Sequence, residues 1–270
     1  MIICGITGHT GNLGKKFIQT FKEFKYEKFN GDITNKKNVT DWVSKKQFNV
    51  LLHFASIVPT ATVNKDYKRA LSVNYNGTKI LVDAITKHNK KIVWFFFSST
   101  SHVYQRSIKK LKESDLTKPT SKYGTTKLKA EKYIVKKLTK SNIKYCIGRI
   151  FSVSDNRHKN FLIPNLLKRI NNNKKKITFN NLNHYRDFLS TSTISKVINF
   201  LRKKKFVGTI NIASGQETSL KDLATFLSRN SGKEIVFDDS KNDTKIIANI
   251  SKLNKIKWKT NKSNFFDFFN

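Results

Sequence analysis

The chain has 270 residues, 38% of them hydrophobic and 12% aromatic, enough to bury the core of one large domain or of a domain with a small lobe. Its 53 Lys and Arg against 18 Asp and Glu leave a net charge of +35, which brings RNA, an anionic membrane surface and anionic small substrates into consideration. The excess is spread from Lys15 to Lys262 and only eight of the basic residues are Arg, so it reads as a compositional bias towards Lys, Asn, Ile and Phe, and no specific nucleic-acid partner is expected.

In chain order, Ile2–Ile6 reads as a strand and Leu13–Phe24 as an amphipathic helix with Leu13, Phe17, Phe21 and Phe24 at helical spacing. Lys25–Phe29 is at best a short second strand. Val39–Lys46 reads as helix, Val50–Phe54 as strand and Asp66–His88 as one long helix. Ile92–Phe97 is a continuous apolar run of the kind a buried parallel strand requires. Ser121–Thr139 is helical and Lys144–Ile150 a strand. Beyond residue 150 the pattern loosens: helix over Asn160–Ile170, the basic run Lys174–Lys176, helix over Ser192–Lys203, strand over Gly208–Ala213 and helix over Leu220–Ser228. The chain ends in the aromatic run Phe265–Phe269. The alternation predicts an α/β fold, a Rossmann-type doubly wound parallel sheet with a small C-terminal substrate-binding lobe. The expected division is 1–152, with 186–213 returning to it, and 153–185 plus 214–270 as the lobe.

Cys4 and Cys146 lie in strand-like runs and form no metal-type pair, so neither a metal site nor a disulfide framework is expected. The longest purely apolar run is far short of the roughly 20 residues of a membrane span. The first strand begins at once, leaving no room for a signal peptide, and the expected compartment is the cytoplasm.

Gly8-His9-Thr10-Gly11-Asn12-Leu13-Gly14 joins the first strand to the first helix. Gly8 permits a tight turn, Gly11 lets backbone approach a pyrophosphate, and Gly14 lets the helix pack close to the sheet. The helix N-terminus then offers free N–H groups and a positive dipole end to phosphates. A plain glycine-rich turn is the competing reading. Asp32, after the weak second strand, stands either to hydrogen-bond an adenine or to cap the next helix. Lys15, Lys16, Lys25 and Lys28 favour a 2′-phosphate, so the expected cofactor is NAD(P) with a slight lean to NADP(H).

Tyr123 and Lys127 stand at i and i+4 of one helix and share a face. A neighbouring ammonium favours the phenolate, so Lys127 is expected to lower the Tyr123 pKa and fit it for proton transfer beside a moving hydride. Lys127 would also hold the nicotinamide ribose. Thr100 follows the Ile92–Phe97 run at the strand end, where open α/β sheets bind ligands, and its hydroxyl would position the same oxygen. An ordinary exposed helix pair and a polar loop are the bland alternatives.

With these residues in view, the chain resembles the extended short-chain dehydrogenase/reductase family of nucleotide-sugar epimerases, dehydratases and reductases. The resemblance runs through Thr7–Gly14, Asp32-Ile33-Thr34, His53-Phe54-Ala55-Ser56, Asn74–Thr78, Phe97–Tyr104, Tyr123–Lys127, Gly148–Phe151, Arg186-Asp187-Phe188 and Gly208–Gly215. It implies a catalytic set of Thr100, Tyr123 and Lys127. It implies cofactor contacts from Gly8, Thr10, Gly11, Asn12, Leu13, Gly14, Asp32, Ile33, Phe54, Ala55, Ser56, Asn74, Tyr123 and Lys127. The implied partner is a nucleoside-diphosphate sugar, met by Thr100, Ser101, Asn160 and Arg186, and a homodimer is allowed. A surface ion pair between Arg186 and Asp187 is the competing reading of that arginine. The chain departs from the pattern after the sixth strand, where Ser152 replaces an Asn. In the region of the second diphosphate arginine it has only Lys241 and Lys245.

The family's 4,6-dehydratases carry Asp-Glu directly after the catalytic Thr. Ser101 and His102 occupy those positions here, which argues against dehydration. Reduction of a 4-keto-6-deoxysugar nucleotide is favoured and 4-epimerisation is the alternative. A non-catalytic cofactor-binding or RNA-associated protein is the further alternative.

Overall fold

The computed structural model of the protein describes residues 1–58, 60–105, 107–154, 162–173, 175–238 and 244–259. The elements in order are β1 (Ile3–Thr7), α1 (Asn12–Thr20), β2 (Lys25–Lys28), α2 (Lys36–Lys45), β3 (Val50–His53), α3 (Thr60–Lys65), α4 (Tyr67–Leu71), a π-helical turn (Ser72–Gly77) and α5 (Thr78–His88). Then come β4 (Trp94–Thr100), a 3-10 turn (Ser101–Val103), α6 (Lys122–Leu138), β5 (Lys144–Ile150), β6 (Ser152–Ser154), α7 (Leu162–Ile170), β7 (Lys176–Asn180), β8 (His184–Arg186) and β9 (Phe188–Ser190). The chain continues through α8 (Thr191–Lys203), β10 (Gly208–Ile212), β11 (Thr218–Ser219), α9 (Leu220–Ser228), β12 (Glu234–Asp238), β13 (Thr244–Ile246) and α10 (Ser251–Lys255). Two compact units form, one of residues 1–105, 115–150 and 191–210, the other of 106–114, 151–190 and 211–270.

A six-stranded sheet runs in the order β10-β5-β4-β3-β1-β2, and its pairs from β2 to β5 are parallel. Successive residues of β4 explain why its sequence is apolar without alternation: Phe95 and Phe97 join the core beneath α2, α5 and α6, while the Phe96 ring meets Phe54 on the other face. On that second face Phe17 of α1 closes against Phe54. The strand order reverses between β1 and β3, where such sheets open a crevice at the carboxyl ends of their strands. The glycine loop follows β1 at that point. This is the Rossmann-type α/β architecture expected from the alternation.

In the second unit, β11, β8 and β13 form a three-stranded sheet, and β7–β12 and β6–β9 are two-stranded and parallel. Ile163, Leu166 and Ile170 of α7 pack with Leu223 and Ala224 of α9 over Ile177 and Phe179 of β7. Asp187 is its polar knot: the carboxylate accepts from Ser214 N (2.7 Å), Ser214 Oγ (2.6 Å), Gly215 N (2.8 Å) and Ala248 N (3.2 Å). Among the described residues no helix is long and apolar enough to cross a membrane.

Two helices differ from their sequence reading. The first ends at Thr20, short of Phe24; the turn beyond it folds Phe24 back beside Phe17, with ring centroids 6.1 Å apart, so the apolar spacing continues after the helix stops. The long helix expected over Asp66–His88 is interrupted by the π turn, and α3 precedes it in a segment to which the sequence reading assigned no element. Asn35, not Asp32, caps α2, accepting from Asn38 N at 3.1 Å.

Gly14 is the tightest joint between helix and loop: a Cβ there would lie 2.4 Å from the Gly8 carbonyl oxygen, whereas one on Gly11 would meet the same atom at 3.3 Å. Gly14→Ala is expected to cost about 1–3 kcal/mol by overpacking against backbone, and Gly11→Ala less than 1 kcal/mol. Urea unfolding of both variants checks the order.

Candidate active site

The loop after β1 has the backbone of an anion cradle. Gly8 adopts φ 68°, and a Cβ on it would sit 2.4 Å from Ala55 N. Gly11 N–H donates to Gly8 O at 3.1 Å, and α1 begins with no side-chain cap. Thr10 and Gly11 are exposed, Leu13 is half-buried, and the buried atoms His9 Nδ1 and Asn12 Nδ2 have no hydrogen-bond partner among the described residues. Uncapped helix N–H groups beside orphaned buried polar atoms fit a dinucleotide pyrophosphate.

Behind the loop runs a continuous hydrogen-bond chain. Ala55 N donates to Thr7 Oγ1 (3.3 Å), and Thr7 Oγ1 lies 2.6 Å from His53 Nδ1. His53 Nε2 lies 2.9 Å from Thr78 Oγ1, which donates to Asn74 O at 2.7 Å. A hydroxyl has one proton, and that of Thr78 is spent on Asn74 O. His53 must therefore carry its proton on Nε2 and accept at Nδ1 from Thr7. Burial, helped by the nearby Lys127 charge, pushes the imidazole down to about 3, so the ring is neutral.

Asn74 sits in the π turn with every amide atom engaged. Its Oδ1 accepts from Ser56 Oγ (3.0 Å) and Ile57 N (2.8 Å); its Nδ2 donates to Ile57 O (3.0 Å) and Thr126 Oγ1 (3.1 Å). It thus ties the segment after β3 to α6. Thr126 donates in turn to Tyr123 O at 2.8 Å.

Thr100, Tyr123 and Ser56 come together: the Thr100 and Ser56 side chains stand beside the buried Tyr123 hydroxyl, and hydrogen bonding from that side favours its ionised form. Burial raises the Tyr123 pKa and outweighs these hydrogen bonds. The expectation that Lys127 lowers it is thus corrected for the protein alone: desolvation of a buried phenol wins, and Tyr123 is a neutral phenol poised to donate. Lys127 is 2% exposed, its ammonium 4.2 Å from the centroid of the Phe97 ring, and it hydrogen-bonds no protein group among the described residues. Burial pushes it down to about 7, with Glu131 opposing. Ser101 is buried beside Thr100. His102 meets the Tyr123 ring edge-on at 5.7 Å, and its Nδ1 lies 3.5 Å from Ser121 Oγ.

The remaining candidates stand elsewhere. Asp32 is exposed and turned onto Thr34, accepting from its N (2.9 Å) and Oγ1 (2.8 Å), which holds the carboxyl below the usual range. Ile33 is a core residue whose Cγ2 would lie 2.8 Å from a Cβ on Gly77. Phe54 sends its ring into the aromatic cluster with Phe17 and Phe96, so only its backbone borders the loop. Lys25 opens β2 and Lys28 closes it, so only Lys28 stands at the carboxyl edge of the sheet. Arg186 belongs to the second unit and donates to Tyr185 O at 2.9 Å. The alternative Arg186–Asp187 pair is not formed, because the Asp187 carboxylate is given to Ser214, Gly215 and Ala248. Lys245 pairs with Glu217 at 3.1 Å. Asn160, Lys241 and the aromatic run Phe265–Phe269 lie outside the described residues. No group of three or more His, Cys, Asp and Glu among the described residues could hold a metal.

Sequence reasoning assigned no role to Thr7, Thr78, Thr126 and Gly124, although they lie in the matched motifs, and passed over Glu131. Only Gly124 left a local sign: a Cβ on it would fall 2.1 Å from the His102 carbonyl oxygen, so the residue after Tyr123 must be glycine for α6 to reach the 3-10 turn.

The fold and the site define a Rossmann-type, dinucleotide-dependent oxidoreductase in which a Tyr and a Lys share one helix face. The family model for GDP-mannose 4,6-dehydratase matches residues 5–265, and the chain belongs to that family, within the extended short-chain dehydrogenases/reductases. It is a nucleotide-sugar-modifying NAD(P) enzyme of that family. It is 28% identical over 220 residues to GDP-6-deoxy-D-talose 4-dehydrogenase of Aggregatibacter actinomycetemcomitans, covering 78% of this chain and 74% of that one. It is 29% identical over 145 residues to the dTDP-4-dehydrorhamnose reductase of the same organism, covering 51% of this chain and 48% of that one. The UDP-N-acetylglucosamine 4-epimerase of Methanobrevibacter ruminantium M1, solved with UDP-N-acetylmuramic acid, shares the fold: TM-score 0.84, 20% identity, 98% of this chain and 95% of that chain covered.

Asn74→Ala removes four hydrogen bonds from a buried cluster. It is expected to destabilise the protein by about 2–4 kcal/mol and to lower turnover about 10- to 100-fold. Chemical unfolding and steady-state kinetics read the two losses. His53 is neutral when folded and charges when unfolded below its ordinary pKa of 6.5. Its contribution to stability is therefore complete above pH 6.5 and is lost as pH falls towards about 3. His53→Asn should flatten that acid limb in denaturation measured from neutral pH downward.

Proposed function

We propose that the protein reduces the 4-keto group of a nucleoside-diphosphate 6-deoxysugar, with NADPH preferred over NADH. The observation that carries this is the buried, neutral Tyr123 phenol held between Thr100 and Ser56, one turn of α6 from the buried Lys127 ammonium. A reductase needs a proton at the site where a carbonyl oxygen becomes an alcohol, and Tyr123 is in the form that supplies it.

The residues present fit the cofactor, which when bound supplies a hydride to the sugar carbon. Gly8, Gly11, Asn12 and the start of α1 would hold its pyrophosphate, and Lys127 its nicotinamide ribose. Thr100 orients the carbonyl oxygen, and Tyr123 gives that oxygen its proton. Lys127 stabilises the phenolate that remains and thereby favours the transfer. Ser56 and Asn74 fix the Tyr123 hydroxyl in place. Arg186 is the proposed diphosphate contact, with Asn160 lining the nucleotide. Preference for NADPH rests on exposed Lys28 at the carboxyl end of β2, with Glu27 diverted to an ion pair with Lys46 (3.4 Å).

Ser101 and His102 in place of an acidic pair leave no carboxylate beside Thr100 to carry water elimination. The relatives named as a 4-dehydrogenase and a 4-keto reductase support single hydride passage at C4. The epimerase of the same fold supports the second reading, in which hydride is taken from the substrate and returned to its other face.

Incubation of the protein with GDP-, dTDP- and UDP-linked sugars and 4-keto sugars, with NADPH and NADH, separates the readings. Net loss of reduced nicotinamide absorbance with formation of a 6-deoxysugar nucleotide is the expected result. Epimer formation without net consumption overturns it in favour of epimerisation. Tyr123→Phe should lower kcat by about 100-fold or more, the scale of general acid catalysis; a wild-type rate in that variant refutes the assigned proton donor.

A further inference from the structure

One buried charged group in the first unit has no part in the proton or hydride path above. Glu131 follows Lys127 by four residues, so both lie on the face of α6 that covers the sheet. Its side chain is 5% exposed. Beneath it, Ser99 of β4 and Arg149 of β5 are direct cross-strand partners. Both bind the one carboxylate: Ser99 Oγ donates to Oε1, Arg149 Nε lies 3.2 Å from Oε1, and its terminal nitrogen lies 2.8 Å from Oε2. Ser99 immediately precedes Thr100.

We propose that Glu131 is a positioning residue for the reaction, clamping the Tyr123–Lys127 turns of α6 onto the carboxyl ends of β4 and β5 and supplying the counter-charge that keeps Lys127 cationic. The inference rests on the function proposed above. The geometry joins three elements at one carboxylate, so Thr100 and Lys127 cannot shift independently. Its electrostatic half follows from what surrounds Lys127 among the described residues. Tyr123 on the same helix is a neutral phenol, His53 from β3 is a neutral imidazole, and Phe97 presents a ring. Arg149 from β5 is a second cation, with its own charge turned onto Glu131. Glu131 alone offers a negative charge to a lysine that burial drives towards neutrality.

The test compares wild type with Glu131→Gln and with the double variant Glu131→Gln/Arg149→Met, which leaves no unpaired guanidinium if the single change impairs folding. Binding of NADPH and NADH is followed by nicotinamide fluorescence, and kcat is measured, both from about pH 5.5 to 9. Removing the carboxylate charge makes Lys127 lose its proton at lower pH. The alkaline limb of both profiles should therefore move down by about one pH unit, with cofactor affinity falling about 10-fold above neutrality and little changed near pH 5.5. The double variant should show the same displacement. Profiles that keep the wild-type limb, a loss of equal size at every pH, or recovery of the wild-type limb in the double variant overturn the proposal. If wild type binds cofactor but turns over none of the sugars, the proposed reaction fails, while the binding profiles still decide the role of Glu131. A wild type that binds neither cofactor overturns both.

Discussion

A single uncharged imidazole holds the working parts of the first unit in register. His53 ends β3, yet its two ring nitrogens reach the end of β1 through Thr7 and the π turn through Thr78. The glycine loop leaves from β1, and Asn74 leaves from the π turn. The glycine loop and Asn74 are therefore spaced by one buried heterocycle whose hydrogen bonds run in a fixed direction. A charged imidazole would present two donors and break that direction at Nδ1, so burial, which keeps the ring neutral, is a condition of the site's geometry.

The charges that remain buried in this unit are few and arranged by function. Most of the described lysines lie at the surface, several with the ammonium over an aromatic ring. Lys127 and Arg149 are inside, at 2% and 6% exposure; Arg149 pairs with the Glu131 carboxylate, and Lys127 lies one helical turn from it on α6. Burying such groups is costly unless each is paired, and the outlay is concentrated under the carboxyl end of the sheet. The second unit follows the same rule with Asp187, whose carboxylate collects the backbone N–H groups of a turn instead of facing solvent.

Much of the fold was legible in the residues because parallel strands buried on both faces must be apolar throughout, as Trp94–Phe97 are, and the helices between them keep a 3.6-residue period. The position of the glycine loop between β1 and α1 and the shared helix face of Tyr123 and Lys127 were legible because both rest on local spacing. What escaped was non-local or ambiguous in period. Phe24 continues the helical spacing of α1 although the helix has ended, since a tight turn returns it to the same cluster. The π turn inserts itself into an unbroken helical pattern. The Thr7–His53–Thr78 chain spans 46 and then 25 residues, and nothing in a threonine announces that a distant histidine will need its hydroxyl. The direction of the Tyr123 shift was misread because spacing reveals a neighbouring charge but not how much water the fold removes.

The close approach of Gly124 to the His102 carbonyl has a consequence for how chemistry is varied on this scaffold. Because the contact is backbone to backbone, the Cα of residue 102 is fixed relative to the Tyr123 ring whatever side chain residue 102 carries. The side chain of residue 102 is thus presented to the Tyr123 ring from a fixed place. In this chain that place holds an imidazole, and a substitution at residue 102 changes the group offered to the ring without repacking α6.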